Sequence, residues 1–286
     1  MATTSFNTRN FLEINLAMLL LSSSGPFGKY IALPVPLTIE LRALLAFVFL
    51  FIYCKIKGIS FRLNSKDRWP ILVSGLLIGL HWVTYFQALQ LSNVAIGMLS
   101  MFTYPVMTSF LEPLFLKTKF QKIHLLLGVM VLFGVFLLVP DFTFDNSYTM
   151  AIVFGLFSAL AYAIRNLILK TKVDRYEGSL LMTYQMGIVG VGLIPIFFLY
   201  DVQQAEDYLP AIFGLVLITT VIGHTLLINC FKYFSITTIS ILSSITPVYG
   251  ILIGALLLSE IPGWSTIIGG ILILTSVVIE SVRSYR

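Results

Sequence analysis

Charged residues are scarce in this sequence, and their scarcity excludes a water-soluble domain. Only 11% of the 286 residues are Asp, Glu, Lys or Arg, whereas a soluble domain carries roughly 25%. Hydrophobic residues make up 58% of the chain, and the mean hydropathy is +0.95. The chain lacks the polar residues that a water-facing surface needs, which excludes a cytosolic enzyme, a nucleic-acid-binding protein and a disordered scaffold.

Motifs for cofactors and metals are also missing. The two cysteines, Cys54 and Cys230, are too few for a disulfide framework. The phosphate-binding pattern G-x-x-x-x-G-K-[ST] is absent, and no H-E-x-x-H or C-x-x-C pattern indicates a metal site. We therefore expect no cofactor, no metal and no use of ATP. Any energy source would be a gradient of the solute itself, of protons or of another ion.

Long apolar runs dominate what is present. A run of about 20 apolar residues crosses a bilayer as an α-helix, and the lack of strict alternation argues against barrel strands. Ten such runs leave no residues for a domain outside the membrane. The predicted spans are Phe11–Ile31, Leu37–Ile56, Trp69–Leu91, Asn93–Leu116, His124–Val139, Thr149–Leu169, Gly178–Tyr200, Tyr208–Phe231, Ile236–Ser259 and Trp264–Val282.

The basic residues predict the direction of these spans. With the N-terminus inside, fifteen of the eighteen Lys and Arg residues fall on inner loops and flanks, leaving Lys29 outside and Arg42 and Arg165 within spans. Cytoplasmic loops of membrane proteins carry such an excess of Lys and Arg. The pattern predicts an all-α integral membrane protein of the inner (cytoplasmic) membrane, with ten transmembrane helices and both termini in the cytoplasm.

The two halves of the chain resemble each other. A shift of 142 residues aligns Tyr104-Pro105-Val106 with Thr246-Pro247-Val248, and the predicted helix boundaries match as well. Because each half holds five helices, the second half enters the membrane in the opposite direction. Inverted repeats are a common plan of secondary transporters, with a solute site near the bilayer midplane. The sequence therefore predicts two inverted five-helix repeats, residues 1–143 and 144–286.

Short motifs in both halves resemble one known family. Residues 89–96 (LQLSNVAI), which lead to Tyr104-Pro105-Val106, are similar to the third-to-fourth helix signature of the EamA family in the drug/metabolite transporter superfamily. Residues 245–248 (ITPV) and 256–260 (LLLSE) resemble its ninth-helix signature. The resemblance implies that each half is one EamA-type repeat. It also implies a carrier that moves small metabolites, such as amino acids, across the cytoplasmic membrane, often outward.

Polar and aromatic residues near mid-span are the candidate solute-binding residues. Polar groups inside a bilayer are costly, so each is a functional hypothesis by default. A histidine can hydrogen-bond a solute carboxylate or change its protonation near neutral pH. The alternative is a structural role, in packing or in helix-to-helix hydrogen bonds. The predicted lining residues are His81, Trp82, Tyr85, Tyr104, Tyr162, His224, Ser243 and Thr246.

Four further residues are candidates for a hinge or a gate. Pro105 and Pro247 each remove a backbone hydrogen bond within a span, which predicts a kink, or a hinge at the binding site. Arg42 is predicted to anchor at the outer interface or to close an outer gate. Glu112, near the cytoplasmic end of the fourth span, is a possible inner gate or a solvated helix end. Arg165 is expected to snorkel to the cytoplasmic surface.

These observations favour a secondary transporter in which two repeats rock around a midplane cavity. Its predicted partners are a small organic solute and the lipid bilayer, with no nucleic acid, and the protein would be a monomer or a homodimer. One alternative is an integral-membrane enzyme acting on a lipid or isoprenoid, with His81, His224 and Glu112 as acid–base groups. Another is an auxiliary subunit without a passage of its own.

Overall fold

A computed structural model describes residues 8–116, 122–138, 146–234, 239 and 242–284 of the chain. These residues form helices and connecting turns, and none of them lies in a β-strand. The first half contains α1 (Thr8–Ser22), α2 (Ser24–Tyr30), α3 (Val35–Ile56), α4 (Ser65–Leu91), α5 (Val94–Met101), α6 (Tyr104–Leu116) and α7 (Ile123–Leu137).

The second half is less regular in its middle part. A ten-residue π-helix occupies Leu215–His224, and 3-10 helices occupy Ile194–Phe198 and Val202–Tyr208. Segments of π-helix are rare and occur frequently at functional sites. The α-helices of this half are α8 (Ser147–Lys170), α9 (Gly178–Leu193), α10 (Leu209–Gly214), α11 (Thr225–Cys230), α12 (Ile245–Leu258) and α13 (Trp264–Ser284).

Six helical segments of the described chain are long and apolar enough to cross a membrane. They are Val35–Ile56, Ser65–Leu91, Val94–Phe115, Ser147–Lys170, Gly178–Phe198 and Val202–Cys230. Three shorter apolar helices accompany them, at Leu125–Leu137, Ile245–Leu258 and Trp264–Ile279. The all-helical prediction and the multi-pass membrane prediction agree with this architecture.

Some predicted boundaries differ from the structure or fall outside it. The first span, predicted as continuous, is interrupted at Ser23 between α1 and α2. The seventh span was predicted to run regularly to Tyr200, but α9 ends at Leu193 and a 3-10 turn follows, because Pro195 cannot continue an α-helix hydrogen-bond ladder. The predicted start Ile236, the predicted end Val139 and the repeat boundary at 143/144 lie outside the described residues.

Asparagine side chains cap the N-termini of three helices. The side chains of Asn64, Asn93 and Asn146 accept hydrogen bonds from backbone N–H groups in the first turns of α4, α5 and α8. Such caps satisfy donors that have no partner within the helix. At the start of α5 the carboxylate of Glu260 also accepts from the Val94 N–H at 2.7 Å, which places a negative charge at the positive end of the helix dipole.

Glycines allow α4 of the first half to pack closely on α9 of the second. A Cβ atom at Gly75 would lie 2.6 Å from Ile188 Cδ1 and 2.8 Å from its Cβ, and one at Gly79 would lie 3.2 Å from Val189. Small residues four apart let membrane helices approach in this way. Gly75 and Gly79 therefore serve the packing of α4 on α9.

Replacement of Gly75 by alanine should destabilise the protein, whereas Gly192→Ala should not. The new methyl group at position 75 overlaps Ile188, and overpacking of this kind costs about 1–3 kcal/mol. At Gly192, one turn beyond Ile188 on the partner helix, nothing among the described residues lies within 4 Å of the added Cβ. Thermal unfolding in detergent measures both variants. Equal melting temperatures for the two would contradict close α4–α9 packing.

Two lysines tie helix ends together in the same way in the two halves. Lys29 Nζ donates to the carbonyls of Leu89 and Ser92, and Lys170 Nζ donates to those of Phe231 and Phe234. The two pairs of acceptors are 142 residues apart, the same shift that aligns the sequence halves. Each ammonium group meets carbonyls at the end of a helix, where the helix dipole favours a cation.

Candidate functional site

A small enclosed cavity lies between the two halves of the chain. Its volume is about 40 Å³, which holds a few water molecules, since one water needs roughly 10–15 Å³ on this measure. All eight predicted lining residues border it: His81, Trp82, Tyr85, Tyr104, Tyr162, His224, Ser243 and Thr246. Residues that were not predicted complete the wall: Met18, Leu21, Ser24, Met98, Met101, Phe102 and Leu227.

Stacked and edge-on rings form one wall of the cavity. The centroid of the His81 ring lies 4.5 Å from that of Tyr162, which in turn lies 4.9 Å from the Tyr104 ring in an edge-on contact. Trp82 and His224 are 5.5 Å apart, so the aligned mid-span positions of the two halves meet here. Aromatic pairs at these distances stabilise one another.

The His81 ring is held by α8. Its Nδ1 lies 2.7 Å from the Ser158 hydroxyl and 3.2 Å from the Ser158 carbonyl, while the same hydroxyl donates to the His81 carbonyl at 3.0 Å. A carbonyl accepts only, so Nδ1 carries the proton and the lone pair of the neutral ring is on Nε2. His224 differs, because its Nδ1 is buried and has no hydrogen-bond partner among the described residues.

Two interrupted helices meet at the cavity. Residues 102–103 form a turn between α5 and α6, and Ser244 forms a turn just before α12. The Tyr104 hydroxyl and the Ser243 hydroxyl join the two interruptions at 2.7 Å. Both residues are among the predicted lining residues, Tyr104 as an aromatic side chain and Ser243 as a hydroxyl group.

The prolines act differently from what the sequence predicts. Pro105 is the second residue of α6 and Pro247 the third residue of α12, so each lies in the first turn of a new helix. The N–H groups of a first turn have no acceptor within the helix, and proline removes no hydrogen bond there. The interruption precedes each proline. A hinge role for the two positions stays a prediction.

Arg42 is fully buried against the cavity wall and is not an anchor at the outer interface. Its guanidinium carbon lies 3.7 Å from the centroid of the Trp82 ring. Nε donates to the Thr220 hydroxyl at 2.7 Å and Nη2 to the Thr219 hydroxyl at 2.9 Å, both on the π-helix. Its neighbour Glu40 is also buried, and neither of the Glu40 carboxyl oxygens has a hydrogen-bond partner among the described residues.

Arg165 is fully buried as well, so the predicted snorkelling is wrong. Its guanidinium donates to the side-chain oxygens of Gln185 at 2.6 Å and Asn166 at 3.0 Å, which hold it inside the helix bundle. Ionisable side chains inside transmembrane helices are rare and costly, which makes two buried arginines a functional signal. Glu112 is half-buried on α6 and does not border the cavity. Gate roles for Arg42 and Glu112 stay predictions.

A buried ion cluster that the sequence analysis missed joins the two halves at one end of the bundle. Asp67, in the first turn of α4, is 1% exposed and accepts from Lys172 at 2.8 Å, Arg175 at 3.0 Å and the Tyr176 hydroxyl at 2.9 Å. The Tyr176 oxygen also accepts from the Asn64 N–H. The available signal was a single acidic residue within the strongly basic segment 55–68.

The fold and the cavity define a multi-pass helical membrane protein with an enclosed polar and aromatic pocket between two similar halves. The EamA-like transporter family model matches the chain twice, over residues 12–139 and 149–282. The chain therefore belongs to the EamA-like transporter family of the drug/metabolite transporter superfamily.

Individual relatives are distant. The chain is 24% identical over 233 residues to the pseudopaline exporter CntI of Pseudomonas aeruginosa (strain UCBPP-PA14), covering 79% of this chain and 80% of that protein. It is 27% identical over 196 residues to an uncharacterized transporter of Archaeoglobus fulgidus, covering 68% and 70%. A crystal structure at 18% identity superposes with a TM-score of 0.72 over 98% of this chain and 99% of that one, which shows a shared fold.

Proposed function

We propose that the chain is a secondary transporter that exports a small organic metabolite, an amino acid or a related solute, by alternating access. Ten transmembrane helices form two inverted repeats, residues 1–143 and 144–286, with both termini in the cytoplasm. The observation that carries this proposal is the enclosed cavity, to which both halves contribute His81, Tyr104, Tyr162 and His224. The paired Lys29 and Lys170 contacts support the repeat.

Export across the cytoplasmic membrane is the direction that the relatives support, since one of them is named an exporter. The cavity is too small for a metabolite in the present conformation, so binding requires the halves to separate on one side. Rocking of two repeats about a central site supplies that movement in inverted-repeat transporters.

The lipid-modifying enzyme receives less support from the geometry. Its three acid–base groups would have to meet, but Glu112 is absent from the cavity that His81 and His224 share. Within the part of the chain that the structure describes, no group of three His, Cys, Asp or Glu residues could hold a metal ion. The transporter proposal accounts for the cavity without any further group.

Counterflow in proteoliposomes tests the proposed function. Vesicles are preloaded with an unlabelled pool of amino acids, and a labelled mixture of the same solutes is added outside. A carrier accumulates label above the level of protein-free vesicles, because exchange needs no energy source. A pool of nucleobases and a pool of organic anions follow in the same format. Equal label in all pools, with and without protein, would contradict a carrier.

A further inference from the structure

Two buried guanidinium groups beside the cavity have no counter-ion among the described residues. Arg42 and Arg165 are both 0% exposed, and neither lies within 4.0 Å of a carboxylate among the described residues. Each also retains a buried nitrogen without a hydrogen-bond partner, Nη1 in Arg42 and Nε in Arg165. Buried charges in proteins are normally paired. The pairing partner of these two is therefore missing from the described chain.

Both groups lie directly behind rings that border the cavity. The Arg42 guanidinium is 3.7 Å from the centroid of Trp82, and that of Arg165 is 5.9 Å from the centroid of Tyr162. Arg42 belongs to the first half and Arg165 to the second. The cavity is thus flanked by one positive charge from each half.

The nearest acidic side chain in sequence does not neutralise Arg42. Glu40 lies two residues away on the same helix, and side chains two positions apart point to nearly opposite faces of an α-helix. Both of its carboxyl oxygens are buried and have no hydrogen-bond partner in the part of the chain that the structure describes. The Asp67 carboxylate already forms ion pairs with Lys172 and Arg175. No carboxylate among the described residues lies within 4.0 Å of either arginine at the cavity.

We infer that the transported solute is an organic anion that carries carboxylate groups, and that Arg42 and Arg165 recognise it. This inference rests on the proposed function and gives its solute class. The threonines of the π-helix hold Arg42, and Gln185 and Asn166 hold Arg165, which leaves Nη1 of Arg42 and Nε of Arg165 without a hydrogen-bond partner among the described residues. A charged guanidinium N–H donates a short, strong hydrogen bond to a carboxylate, and the unpartnered nitrogens supply such a donor from each half. A neutral solute leaves both buried charges unpaired, so the site selects against it.

Trp82 can report binding without any transport measurement. The chain has three tryptophans, and Trp69 and Trp264 are 70% and 81% exposed, away from the cavity. A Trp69→Phe/Trp264→Phe variant therefore leaves one fluorophore, in contact with Arg42 and bordering the cavity. Its emission is titrated with succinate and glutamate, with glycerol 3-phosphate as a non-carboxylate anion, and with leucine and uridine as solutes without net charge.

We expect the carboxylate anions to change the Trp82 emission at lower concentration than leucine or uridine. Arg42→Gln and Arg165→Gln should each raise the dissociation constant for these anions at least tenfold. Arg42→Lys and Arg165→Lys, which keep the charge but lose the planar fork, should fall between. Arg62→Gln removes an exposed arginine outside the helices and is the charge-matched control. A preference for glycerol 3-phosphate would overturn the carboxylate assignment.

Counterflow of the same solutes separates this inference from the proposed function. Accumulation of leucine or uridine alone, unchanged in Arg42→Gln, would leave a transporter standing and overturn the anion inference. An arginine-dependent emission change without counterflow would keep the anion site and overturn transport. In a vesicle with an imposed membrane potential, succinate counterflow that depends on both arginines supports the transport function and the anion site together. If an arginine-to-glutamine variant does not fold, the dissociation constants of the lysine variants are compared with that of the unaltered protein instead.

Discussion

A His81→Ala/His224→Ala variant is expected to lose roughly thirtyfold in counterflow rate while keeping its fold. Each ring contributes stacking and hydrogen-bonding contacts at the cavity wall, and two losses of about 1 kcal/mol each correspond to this factor. The two rings come from different halves and meet through Trp82 and Tyr162, so they act on one solute site. The measurement is initial rate at several solute concentrations, with circular dichroism to confirm helix content.

The matched control is Leu80→Ala/Ile222→Ala. These residues precede His81 and lie two before His224 on the same helical segments, but they are 49% and 46% exposed on the outer side of the bundle. Their loss removes more apolar surface than the histidine variant does and leaves the cavity intact. Counterflow in the control should stay near that of the unaltered protein. Equal loss in both variants would mean that the histidines matter only for stability.

An Asp67→Asn variant should be destabilised by about 2–4 kcal/mol. Asp67 is almost fully buried, and removing one partner of a buried ion pair leaves the other charges unpaired. The expected cost is below that of a wholly buried pair, because Arg175 is 59% exposed and regains water. The cluster joins α4 to the segment after α8, so its loss also loosens the contact between the two halves at this end.

Glu177→Gln is the control for this variant. Glu177 pairs with Lys232 at 3.2 Å, but the two side chains are 57% and 24% exposed, and exposed pairs contribute about 0–1 kcal/mol. Thermal unfolding in detergent should therefore separate Asp67→Asn clearly from Glu177→Gln. A small, equal shift in both would contradict a structural role for the Asp67 cluster.

The sequence predicts the cavity residues well for a physical reason. A histidine or tyrosine at mid-span is costly against lipid, so it faces the interior, and matching positions in two repeats place such residues together. His81 and His224 follow directly from this argument. Their role in solute binding is the part that the geometry leaves as a proposal.

The arginines could not be placed in the same way. Whether a long side chain snorkels or stays buried depends on partners far along the chain, and Thr219 and Thr220 are more than 170 residues from Arg42. The π-helix that brings both hydroxyls to one guanidinium has no sequence signal of the kind that marks caps and turns. The Asp67 cluster likewise depends on the approach of two segments, which composition does not report.

Accessibility of the cavity from each side of the membrane tests the central claim most directly. In a background with Cys54→Ala and Cys230→Ala, Ser243→Cys places one thiol at the cavity beside Tyr104. A membrane-impermeant thiol reagent is applied to vesicles from the outside or sealed inside. A transporter that opens its cavity alternately to both sides predicts reaction from either side, slowed in each case by the transported solute. Reaction from one side alone would contradict alternating access and favour a one-sided site.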